Sequence, residues 1–65
     1  MDYMELGTMK YTKFKTLCKE STLKECNEYK ALLQENLPPV NTPDNARFLQ
    51  KIRYIDKVIS GEIWN

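Results

Sequence analysis

Residues 42–59 read TPDNARFLQKIRYIDKVI, and the fold turns on how they are read. Phe48, Ile52, Ile55 and Ile59 fall at steps of four, three and four, and Ile63 continues the series. At about 100° per residue these positions form one stripe, which Leu49 and Val58 widen to roughly half the circumference of a helix. The start is marked as well. Thr42 suits the N-cap, Pro43 suits the first helical position because its missing amide has no intrahelical partner there, and Asp44 complements the positive end of the dipole. A helix with so wide an apolar arc has to cover something.

Working backwards, Asn36 to Asn41 is a connector. Pro38-Pro39 removes two amide donors and biases the preceding residues to extended backbone. About six residues suits an antiparallel helix pair. Before it, Leu23, Cys26, Tyr29, Leu32 and Leu33 recur at helical spacing, and Thr22 with Glu25 has the spacing of a capping box. Tyr11, Phe14, Leu17 and Cys18 predict a shorter helix ending near Lys19. Its apolar arc is rotated by roughly a quarter turn from that of residues 23–33, which favours a break at Glu20–Thr22 over one continuous helix across 10–35 packed on two different surfaces. Residues 1–8 read as an irregular arm ending at Gly7, ahead of a single helical domain over 9–65. Gly61 breaks the last helix, leaving Ile63 and Trp64 beyond it. The expected fold is all-α: a three-helix bundle in which a short N-terminal helix crosses two longer antiparallel ones.

A chain of 65 residues is one domain at most, and it buries only about 60% of its unfolded surface. Its 42% apolar and 29% charged residues are those of an ordinary folded domain. No apolar run approaches the roughly 20 residues of a membrane span. Asp2 and Glu5 stand where a signal peptide carries bases, so the cytoplasm is the expected location, with no membrane partner. The chain has no histidine, the commonest general base and metal ligand. Cys18 and Cys26 are half a zinc site with no soft ligand to complete it, and read as two small buried hydrophobes. No nucleophile–base pair, phosphate-binding glycine loop or cluster with metal spacing is present in the sequence. No catalytic, cofactor or metal residues are therefore assigned, and the chain reads as a non-enzyme.

Two binding surfaces remain. Tyr54, Asp56, Val58 and Trp64 lie at or beyond the border of the last helix's apolar arc, where an aromatic with a polar handle or a rim carboxylate meets a partner. Lys10, Lys13, Lys15 and Lys19, interleaved with Tyr11 and Phe14, are the alternative: lysines release counterions from phosphates, and aromatics stack on unpaired bases. The first surface predicts a small interaction or regulatory protein that binds a larger protein or itself, of the kind found among phage and plasmid accessory factors and inhibitors. The second predicts a nucleic-acid-binding regulator using segment 10–19. A third expectation is a homo-oligomer that sequesters a small ligand between subunits.

Tyr11, Cys18, Thr22-Leu23, Asp56-Lys57-Val58 and Trp64 are similar in placement to the small haemolysin-expression-modulating family. That resemblance implies an all-helical protein that binds a nucleoid protein. The family's Asp-His-Arg signature is missing, and no residue role is carried over.

Overall fold

A computed structural model describes residues 2–62 and shows four helices and no strand among them. They are α1 (Tyr3–Thr8), α2 (Tyr11–Glu20), α3 (Leu23–Glu35) and α4 (Pro43–Ile59). The all-α expectation holds, but the helix count is four, because residues 1–8 are no irregular arm. Asp2 caps α1, its carboxylate accepting the Glu5 amide at 2.8 Å. Six residues are too few to hold a helix by local bonding. What holds α1 is tertiary contact: Leu6 is fully buried, and Gly7 lies flat against the Phe48 ring of α4. A Cβ at Gly7 would run into that ring. So the glycine read as the end of an arm is the point of closest approach between two helices.

α3 and α4 make the main antiparallel hairpin, with Leu33 on one side and Phe48, Ile52 and Ile55 on the other. The break between α2 and α3 falls where the change of phase puts it. Ser21 turns the chain, its amide bonded to the Cys18 carbonyl and its hydroxyl donating to the Leu17 carbonyl at 2.7 Å. The capping box then opens α3, with Thr22 and Glu25 each satisfying the other's amide at 3.2 and 2.9 Å.

Leu23 departs from its expected place in the apolar face and is 59% exposed. Lys30 of α3 pairs with Asp56 of α4 and sets the register. Seven residues back along α3, about 10 Å, Leu23 is level with a point past Ile59, where α4 has ended. Among the described residues, α4 offers no helical surface at that level to cover it.

The connector is tied down by side chains. The Asn45 amide, in a residue only 5% exposed, donates to the Pro38 carbonyl at 3.0 Å. Thr42 occupies the N-cap as expected, but its hydroxyl turns away from the helix amides and donates to the Pro39 carbonyl at 2.7 Å. Its amide bonds the same carbonyl and closes a turn over Val40 and Asn41. At the other end, Gly61 adopts φ 84, Gly61 N–H reaches the Val58 carbonyl and Glu62 N–H reaches the Lys57 carbonyl. That is the bonding of a Schellman cap, whose left-handed position favours glycine.

Candidate interaction surface

α4 buries two stripes. The first, Phe48–Ile52–Ile55, is the one its periodicity predicts. The second is Lys51–Tyr54–Val58, at steps of three and four, with exposures of 2%, 6% and 7%. α1 and α2 cover it. Tyr54 meets Tyr11 and Phe14 edge-on, with ring centroids 5.9 and 6.3 Å apart. Burial raises the Tyr54 hydroxyl pKa, with smaller contributions from Cys18, Tyr11 and Cys26. Two of the four residues assigned to partner binding are thus corrected in their exposure. Tyr54 and Val58 face the chain's own interior, because α2 lies along a flank of α4 that periodicity left bare. Asp56 is exposed, and its charge is met within the chain by Lys30 of the neighbouring helix. Trp64 lies outside the described residues.

Lys51 is the residue sequence reasoning missed. Its ammonium sits inside the protein, donates to the Gly7 carbonyl at 2.7 Å and lies 5.9 Å from the centre of the Phe14 ring. A carbonyl in the last turn of a helix has no intrahelical donor, and a cation is its natural partner. Burial lowers the Lys51 pKa, and the nearby Arg47 charge adds to the effect. The available signal was its place three residues before Tyr54, on the same face.

The basic segment does not form a stripe. Lys10, Lys13 and Lys19 are exposed, while Lys15 is half-buried with its ammonium 5.0 Å above the Tyr11 ring. On a helical wheel Lys13 and Lys19 are about 120° apart. Phe14 is fully buried, so it cannot stack on a base, and Tyr11 turns its ring toward Tyr54. What the segment presents is separated positive charge.

The exposed apolar side chains are more concentrated. Among the described residues, the large ones are Tyr3, Met4, Leu23, Leu37 and Val40. Gly7 against Phe48, together with Lys51 on Gly7, seats α1 on the half of α4 nearer the connector. Tyr3 and Met4 of α1 and Leu37 and Val40 of the connector therefore all belong to segments at one end of the hairpin. Val40 is 88% exposed at the tip of a turn that three hydrogen bonds hold. A rigid loop loses little conformational entropy when it is captured, which favours binding.

The described residues enclose no pocket and contain no group of three potential metal ligands. No helix among them is long and apolar enough to cross a membrane. No family model, curated protein or solved structure matches the chain, and the likeness to the haemolysin-expression-modulating proteins has no counterpart there.

Proposed function

We propose that the chain is a non-enzymatic interaction protein that modulates a larger protein by docking through the connector end of its hairpin. One observation carries this reading: four of the five large apolar side chains exposed among the described residues sit on α1 and the connector, and the most exposed of them, Val40, is on a braced turn. Scattered single hydrophobes on a surface need no explanation, but a concentration at one end marks a contact region. The test is affinity capture with the intact chain and with the variant Leu37→Asp/Val40→Asp, after circular dichroism shows both equally helical. A protein retained by the first and lost by the second supports the reading. Equal retention by both overturns it.

The nucleic-acid alternative rests on the exposed Lys10, Lys13 and Lys19. It separates from the main reading by salt, since phosphate contacts weaken steeply as ionic strength rises and an apolar contact does not. Self-association through the same end is a version of the main reading in which the partner is a second copy. Sedimentation equilibrium detects it directly.

A further inference from the structure

The elbow between α2 and α3 holds a pair of thiols that the proposed docking function does not use. Cys18 and Cys26 are both buried, at 0% and 1% exposure. They lie eight positions apart on either side of the Ser21 turn. The Cys26 sulfur is 3.9 Å from the Cys18 carbonyl, and the two thiols are within hydrogen-bond reach of each other. Two neighbouring thiols, carried by different helices across a two-residue joint, have the placement of the reduced form of a disulfide that would fasten those helices together. Packing accounts for one small buried side chain at each position. It does not require that both be sulfur and that they be neighbours.

We propose that Cys18 and Cys26 are a redox pair, closing to an intrachain disulfide by exchange with a low-molecular-weight disulfide such as glutathione disulfide. The first thiolate attacks one sulfur of the oxidant, whose S–S bond breaks and releases one glutathione thiolate. The second cysteine gives its proton to solvent and attacks the protein sulfur of the mixed disulfide, releasing the second glutathione. Two protein thiols lose two electrons and two protons, and one glutathione disulfide becomes two glutathione thiols. Burial controls the rate. It raises both thiol pKa values, that of Cys18 as far as about 12, so the folded chain offers little thiolate until the elbow opens. Cys26, the cysteine nearer the start of its helix, supplies the first thiolate. α3 begins one turn before it, at a capping box whose exposed bonds make it the natural place to open. Once formed, the bond holds α2 and α3 at their native angle, so oxidation would stiffen the elbow without remodelling the connector end.

The experiment is a redox titration of the intact chain in glutathione buffers, quenched by alkylation and read by intact mass, once in native buffer and once in concentrated urea. The expected product is a monomer that has lost two hydrogens and takes up no alkylating agent. The effective concentration of the pair should be at least about tenfold higher in native buffer than in urea, because a bond that fits the fold is favoured by it to the degree that it stabilises it. Cys18→Ala and Cys26→Ala chains should stop at the mixed disulfide or stay reduced. Stable double glutathione adducts, disulfide-linked dimers or an effective concentration no higher in native buffer than in urea would each overturn the proposal. None of these outcomes bears on docking at the connector end, which its own variant tests.

Discussion

The two ends of this bundle are closed by opposite means. At the connector end, backbone carbonyls lack regular partners, and side chains of α4 and its N-cap supply them: Lys51 bonds Gly7, Asn45 bonds Pro38 and Thr42 bonds Pro39. At the elbow end the helices meet through the sulfurs of Cys18 and Cys26, while between the two ends Tyr54 packs edge-on against Tyr11 and Phe14. The first solution is directional: each bond fixes one atom against another, and irregular backbone stays ordered. The second is close-packed and tolerant of small adjustments. The comparison teaches where rigidity comes from in a domain too small for a deep core. Polar side chains on one long helix can order a loop and a six-residue helix that have too little apolar surface of their own.

The largest effect should come from removing the ring that both the hairpin and α1 rest on. Phe48→Ala is expected to cost about 3–5 kcal/mol, enough to unfold most of the population of a small domain, as urea denaturation would show. A loss below about 1 kcal/mol would mean that the connector end does not depend on this ring. Gly7→Ala comes next. The added methyl has no room against Phe48, and overpacking of this kind costs about 1–3 kcal/mol. Amide exchange should show α1 loosened while the elbow stays protected. Uniform loss of protection would show that the two ends are not separable.

Alkaline titration sharpens the contrast, because the ends respond with opposite sign. The Cys18, Cys26 and Tyr54 pKa values are raised in the fold, so their contribution is full below the ordinary thiol value of 9.0 and is lost as pH rises through the raised values, for Cys18 about 12. Lys51 is lowered, so its neutral form favours the fold and its contribution grows as pH rises through the depressed value toward 10.5. Stability should fall above about pH 9, less steeply in Cys18→Ala and more steeply in Lys51→Met, as read from urea midpoints across that range. An unchanged slope in both variants would remove these groups from the account. The smallest effect concerns the cap of α3. Thr22→Ala should cost about 1 kcal/mol. The exposed Lys57→Ala serves as the control, expected within about 0.5 kcal/mol.

The hairpin was legible because its information is local and repeated. Phe48, Ile52 and Ile55 state a helical face in the sequence itself, Pro38-Pro39 stops one helix and Pro43 starts the next. Thr22 and Glu25 name their own bond. α1 was not legible, because the Asp2 cap alone does not hold six residues as a helix without Leu6 buried and Gly7 seated on a ring some forty positions away. Tyr54 and Val58 were read as border residues for the same reason. Periodicity tells how one helix is divided, but not how many neighbours it has, and α2 turned a border into a second buried face. Lys51 is the clearest case. A lysine is assigned to solvent by its type, and only the carbonyl of Gly7, brought there by the fold, gives it a reason to be inside.

The bond from Lys51 to Gly7 spans 44 positions, and that separation sets an order of events. During synthesis residues 3–8 emerge before the ring and the ammonium that hold them, which belong to α4. Until α3 and α4 have closed, this segment has neither a surface to lie on nor a donor for its final carbonyl. Its docking is the step with the longest loop to close, and the entropy of closing it weighs on the folding rate. Residues 3–8 are therefore among the last of the described residues to fold. An unfinished chain carries Leu6 in the open for as long as translation takes.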